Sequence, residues 1–183
     1  DLLDFSKIEA GQMKLNVREL DMVSFVRSYA LSFNSAAEFK GIAMSFEYPG
    51  KSVPVYFDTG KMDKILMNLF SNSLKFTDNG GFIKVIISDD ENCCYIRFED
   101  SGIGIPPEKI KTIFDRFSQV DAGSTRKYEG TGIGLALVKE FVELHGGSIN
   151  AASRFIDDSP GDHGSVFTVT IPKGDRHFRD RKS

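Results

Sequence analysis

The chain has no tryptophan, two cysteines and three histidines among 183 residues, and its net charge of −3 leaves no basic surplus. Each shortage excludes something. Without a long basic stripe, a nucleic-acid surface is not expected. No apolar run approaches the roughly 20 residues that a bilayer-spanning helix needs, and no secretory signal is recognisable, so no direct membrane contact is expected. Cys93 and Cys94 are adjacent. Neighbouring strand side chains face opposite sides, which argues against a disulfide between them or a shared metal. They read as buried thiols in a reducing, cytosolic setting. His145 stands at a helix end and His163 and His177 in loops. None lies on an extended helix beside a carboxylate, so capping or surface exposure is expected of all three.

What is plentiful is phenylalanine, with 16 copies, and glycine, with 17. The first points to an aromatic core, and the length suits one well-buried domain with short extensions. Leu2, Phe5 and Ile8 recur at helical spacing and Gly11 is placed to end that helix. A short strand is expected at 17–20. Asp21 is a plausible N-cap for a helix running to about residue 39, closed by Lys40 and Gly41. Strands are expected at 42–48 and 53–57, with Pro49-Gly50 as turn punctuation between them. A long helix follows over 59–76, then a hairpin from 82–88 and 93–99. Pro106 and Pro107 start a short helix. Residues 132–145 form an amphipathic helix ended by Gly146-Gly147, and strands are expected at 148–154 and 165–171. The tail, 173–183, is charged and patternless, as a solvated linker would be. The sum is an α+β fold in two layers. About three helices lie on one face of a mixed, mostly antiparallel sheet of about five strands.

The organising stretch is 100–137. It opens on Asp100-Ser101-Gly102-Ile103-Gly104-Ile105 and closes on Gly130-Thr131-Gly132-Ile133-Gly134-Leu135. Two glycine clusters suggest hinges, and the unpatterned 118–129 (SQVDAGSTRKYE) carries Arg126 and Lys127, which suits a basic lid over an anionic ligand. On the helix before it, Asn68, Asn72 and Lys75 share one face. Such a ridge can hold a hydrated cation and the phosphates it bridges, although the pattern alone also describes a solvated helix face. Asp100 ends a strand, where a carboxylate can accept from an exocyclic amine and prefer adenine to guanine; Asp before Ser-Gly is also a common turn. The second glycine cluster runs into a helix, whose first N–H groups make an anion site. It lacks the Gly-Lys-Ser/Thr ending of a P-loop. It also lacks the third glycine of a dinucleotide fingerprint, where Leu135 stands. Phe114-Asp115-Arg116-Phe117 places two rings around a charged pair, with core packing of both as the default.

Taken together, the motifs resemble the catalytic ATP-binding domain of sensor histidine kinases, within the gyrase, heat-shock-chaperone, histidine-kinase and MutL ATPase superfamily. Residues 68–77 (NLFSNSLKFT) resemble its N box, 100–105 its first glycine box, 114–117 its F box and 130–137 (GTGIGLAL) its second glycine box. Residues 1–11 (DLLDFSKIEAG) resemble the last turns of the second helix of the dimerisation hairpin. The likeness runs to about Pro172 and implies a Bergerat-type fold.

The resemblance also implies roles. Residues 1–12 would end the hairpin, 13–172 would form the catalytic domain with a lid at about 118–131, and 173–183 would be a linker. Asn72 would ligate Mg²⁺, with Asn68 and Lys75 beside the phosphates of ATP. Asp100 would bind the adenine amine, with Gly102, Gly104 and Ile105 shaping its pocket. Gly130, Thr131, Gly132, Gly134 and Leu135 would hinge the lid and meet the phosphates, and Arg126 or Lys127 would reach the γ-phosphate. Phe114 and Phe117 would set the lid against the dimerisation helices.

Asn68, Lys75 and Arg126 are thus the catalytic candidates for moving the γ-phosphate to a histidine. That histidine belongs on the first hairpin helix, upstream of Asp1, and none of the three histidines here matches it. The fragment should therefore bind ATP without phosphorylating itself, and its own dimerisation is left open although the parent would be a homodimer. The wording of 1–11 and the lid resembles hybrid kinases, which implies a receiver domain or a response regulator downstream, and a cytoplasmic portion of a parent that can be membrane-anchored. Two rivals stand beside this. A gyrase- or MutL-like ATPase needs an acid one turn before the Mg²⁺ asparagine, where Asn68 stands, and an amide is no general base. A nucleotide-sensing or interaction module without turnover would keep the same boxes.

Overall fold

The computed structural model describes residues 2–118, 132–158 and 161–179. Helix α1 spans Leu2–Glu9, strand β1 Arg18–Asp21 and helix α2 Met22–Phe39. Asp21 caps α2, its carboxylate accepting from the N–H groups of Val23 and Ser24. The helix stops at Lys40, and Gly41 takes the left-handed turn, φ 68°, that a side chain would resist. Strands β2 (Ala43–Glu47) and β3 (Pro54–Phe57) follow, then helix α3 (Thr59–Phe76), capped by Asp58 through the Lys61 N–H. The hairpin β4 (Phe82–Asp89) and β5 (Cys93–Asp100), helix α4 (Gly134–Leu144), strands β6 (Ser148–Arg154) and β7 (Gly164–Pro172) and a helical turn α5 (Arg176–Arg179) complete the order.

Five strands form one sheet in the order β2-β4-β5-β7-β6, parallel only between β2 and β4. Alternation sorts its two faces. Ile83, Val85 and Ile87 of β4, Cys94, Ile96 and Phe98 of β5, and Phe167, Val169 and Ile171 of β7 all turn inward and are buried. The opposite face keeps charges, among them the Lys84–Glu47 and Arg97–Glu99 pairs at 2.8 and 2.7 Å. Helices α2, α3 and α4 cover the inner face. Their packing is aromatic where the layers meet: Phe33 of α2 stacks on Phe70 of α3 at 4.9 Å, and Phe70 meets Phe98 of β5 edge-on at the same distance. The two-layer α+β expectation holds, with three helices on one face.

Several local expectations need correction. The strands expected on either side of Pro49-Gly50 are present but belong to different sheets: β3 joins β1 in a separate two-stranded sheet, and β2 crosses over to β4. Residues 106–115 are not a helix but successive turns, with N–H to C=O bonds from Lys109 to Pro106, Thr112 to Lys109 and Asp115 to Thr112. Pro107 pushes Pro106 toward extended backbone, and neither proline can donate. The helix expected from 132 begins at Gly134. The tail is not patternless as far as 179. His177 lies against Gly146 and the Phe178 ring meets the His145 ring edge-on at 6.3 Å.

Capping describes His145, the C-cap of α4, but exposure does not. It is wholly buried, its Nδ1 2.6 Å from the Phe141 carbonyl oxygen, while its Nε2 accepts from the Asp58 N–H at 3.0 Å. One neutral tautomer thus ties the end of α4 to the start of α3. Burial pushes the Cys94 thiol up to about 12, so it is the inert core group expected; Cys93 is only half-buried.

Candidate functional site

Helix α3 is the spine of the site: the second glycine cluster meets it at mid-length and the first at its C-terminal end. Eight residues separate Asn68 from Phe76, about 12 Å of helix. At mid-length, Asn68 Nδ2 donates to the Lys64 carbonyl at 2.8 Å, and its Oδ1 faces Gly134 so closely that any side chain there would collide with it. Gly134 opens α4, whose N-cap Ile133 makes no side-chain hydrogen bond. The first N–H groups of α4 are therefore uncapped beside the Asn68 amide, an arrangement suited to an anion. Gly132 takes φ 66°, and its carbonyl accepts the Phe117 N–H at 3.0 Å, bringing the F box and the second glycine cluster together.

At the C-terminal end of α3 lies Asp100, the last residue of β5 and 7% exposed. Its carboxylate accepts from the Gly102 N–H at 2.9 Å, from the Ser165 N–H, and over 3.4 Å from Ser73 Oγ. Burial outweighs these bonds and pushes the group up from 3.8 to about 6. A carboxylate has about four lone-pair positions, so one more donor can be received. Gly102 must be glycine: a Cβ would stand 2.6 Å from the Phe76 carbonyl oxygen and 2.8 Å from Asp100 Oδ1. Gly104 takes φ 74° and presses on the Arg154 carbonyl, again too close for a side chain. Ile105 is buried, its N–H held by Ser153 Oγ at 2.8 Å. Thr77, the C-cap of α3, is fully buried, and its hydroxyl has no hydrogen-bond partner among the described residues.

Asn72 and Lys75 are half-buried on the same helix, with the Lys75 ammonium 5.0 Å from the centre of the Phe76 ring. Leu135 packs at the edge of the core. Phe114 meets Phe167 edge-on at 6.4 Å, but core packing does not hold for Phe117, which is 66% exposed with φ 61°. Left-handed backbone is costly for a bulky residue, so Phe117 marks strain beside the site. Arg126, Lys127, Gly130 and Thr131 lie outside the described residues. Among the described residues no three His, Cys, Asp or Glu side chains gather for a metal. The oxygen donors near the anion end are the amides of Asn68 and Asn72.

Sequence reasoning missed three supports. Lys40, identified only as the end of α2, sends its ammonium to the end of α3, where it bonds the carbonyls of Leu74, of Thr77 at 3.0 Å and of Lys75 at 3.5 Å. Ser73 and Ser165 escaped notice because serines in a helix and a strand carry no local signal.

A two-layer fold whose central helix meets an uncapped helix start at mid-length and a buried carboxylate at its C-terminal end has the groups that a nucleotide-binding domain uses. Residues 57–175 match the family described as histidine kinase-, DNA gyrase B- and HSP90-like ATPase, and the chain belongs to that family. It is 39% identical over 177 residues to hybrid signal transduction histidine kinase D of Dictyostelium discoideum, covering 94% of this chain and 11% of that protein. It is 38% identical over 172 residues to sensor histidine kinase TmoS of Ectopseudomonas mendocina, covering 93% of this chain and 17% of that one. The catalytic domain of histidine kinase ThkA, in a nucleotide-free form, superimposes with a TM-score of 0.75 at 26% identity over 87% of this chain and 99% of its own. The chain thus spans less than a fifth of the length of these two curated relatives.

Proposed function

We propose that this chain is the ATP-binding catalytic domain of a two-component histidine kinase, moving the γ-phosphate of Mg-ATP to a histidine on a dimerisation hairpin. The observation that carries this is helix α3, met at mid-length by Gly134 and the uncapped start of α4, and at its C-terminal end by Gly102 and the Asp100 carboxylate. That layout suits a ligand with an anion at one end and a base at the other. The Thr77 hydroxyl, unpartnered among the described residues, lies at the base end, and the amide oxygens suit a cation already bridged by phosphates.

Asp100 would accept the adenine amine, and Gly102, Gly104 and Ile105 would shape that pocket. The α4 N-terminus with Gly130, Thr131, Gly132 and Gly134 would meet the phosphates. Asn72, with Asn68 beside it, would hold Mg²⁺, and Lys75 and Arg126 would balance phosphate charge. Bound Mg-ATP would supply the phosphoryl group and the metal's neutralising charge, and the domain would contribute position and charge. Helix α1 would close the hairpin, 13–172 would be the catalytic unit with its lid at 118–131, and 173–183 would lead toward a receiver domain. Such a kinase would work as a homodimer in the cytoplasm and pass phosphate to a receiver domain or response regulator.

A supplied hairpin incubated with the chain and γ-labelled Mg-ATP should take up acid-labile, alkali-stable label. Acid-stable label, or hydrolysis without transfer, would refute the assignment.

A further inference from the structure

We infer that His163 is a positioning residue for base recognition, fixing from behind the loop that aims Asp100. The inference rests on the reading that adenine meets Asp100. The peptide between Gly102 and Ile103 is held on both edges. Its N–H donates to the Phe76 carbonyl at 3.2 Å, and its carbonyl lies 2.6 Å from His163 Nδ1. A carbonyl oxygen only accepts, so Nδ1 carries the proton and donates. One peptide earlier, the Gly102 N–H is the 2.9 Å donor to Asp100 Oδ1. A shift of the Gly102 carbonyl is therefore felt at the carboxylate through a single residue.

Glycine 102 has no side chain with which to secure itself, so the support must come from outside the loop. The next two residues of the same segment act on the same target. Gly164 backs onto the Asp100 carbonyl too tightly for any side chain, and the Ser165 N–H reaches the Asp100 carboxylate. Three consecutive residues thus hold the Gly102 carbonyl, the Asp100 backbone and the Asp100 side chain. His163 itself is only half-buried and borders an open cleft of about 370 Å³, with Asp78, Ser101, Ile103 and Ile156. Its ring can be exchanged without opening the core.

The test is a calorimetric titration of the 183-residue chain with Mg-ATP and with Mg-GTP, in the parent and in His163→Leu, His163→Asn and His163→Gln. The amide nitrogen of Asn stands the same number of bonds from the backbone as Nδ1, and that of Gln one bond further. Leu and Gln should weaken ATP about five- to tenfold, while Asn should stay within about twofold of the parent, as expected for one hydrogen bond lost or kept. GTP binding should not follow, so the ATP preference narrows. Equal ATP binding by parent and Leu, equal behaviour of Asn and Gln, or a parallel loss of ATP and GTP would each overturn the inference. If Leu does not fold, the Asn and Gln pair decides alone. No ATP binding by the parent would remove the base-binding reading itself, and this shows before any variant is made.

Discussion

Asp100 and His145 are both buried ionisable side chains, and the difference between them separates site from scaffold. His145 has two ring nitrogens and both are used, one with Phe141 and one with Asp58. Nothing is left with which its ring nitrogens could greet a ligand. Asp100 has more acceptor capacity than its three donors fill, one of them distant at 3.4 Å, and burial holds its carboxyl up at about 6. A buried polar group with its bonds complete stabilises a fold, whereas one left short is poised to bind. On this criterion the contact between the end of α4 and the start of α3 is architecture, and the C-terminal end of α3 is a working end.

The sharpest way to break the comparison is Asp100→Asn. Burial raises the carboxyl from 3.8 to about 6, so between those values the folded chain holds its proton more tightly than the unfolded chain. Stability contributed by this group therefore falls as pH rises through that window and stays lower above it. The neutral amide should weaken Mg-ATP binding at pH 7.5 on the order of 10- to 100-fold. It should also raise the unfolding free energy of the nucleotide-free chain at that pH by about 1–3 kcal/mol, a gain that disappears by about pH 4. Denaturant titrations at the two pH values check the second part. A variant that loses stability at pH 7.5 would place Asp100 on the scaffold side.

His145→Leu should show the reverse pattern. It leaves the half-buried Asp58 N–H without its acceptor, takes one donor from the Phe141 carbonyl and loses the packing of a buried ring, which together cost about 2–4 kcal/mol. For a domain of this size that lowers the melting temperature by roughly 5–15 °C. Mg-ATP affinity, measured well below the new midpoint, should hardly change. A large affinity loss with intact stability would move His145 into the site.

Lys40→Met is the smallest and sharpens the boundary. The ammonium neutralises carbonyls at the end of α3 that also feeds the Asp100 loop, through the Ile103 N–H bond to Phe76. Removing it should cost about 1 kcal/mol in stability, with ATP affinity falling no more than about threefold. Larger losses in binding than in stability would extend the working end out to α2.

Much of this was legible because local rules carried it. The span of α3 was expected at 59–76 and is observed there, since Asp58 caps it and its apolar positions keep one face. The strands agree within about two residues for the same reason, a clean alternation against a single core. The spacing of Asn68, Asn72 and Lys75 placed them on one helix, and Asp100 and the first glycine cluster fell where a strand ends. What escaped was non-local. The pairing of β2 with β4 rather than β3 depends on a crossover that no neighbouring residue announces. Lys40, His145 and His163 each act across 34 to 87 positions of sequence, through side-chain bonds to distant backbone groups. The turns after Pro106 misled because proline opens helices as readily as it prevents them.

The close seating of Gly164 on the Asp100 carbonyl has a consequence for how such a domain can evolve. Asp100 is a rung between β4 and β7, paired with Ile83 on one side and Ser165 on the other. The residue proposed to meet the base is thus inherited together with the ladder that holds it. Nucleotide preference cannot drift by sliding that strand; it must be rewritten at the side chains around it, with Ser73, His163 and Ser165 as the available letters.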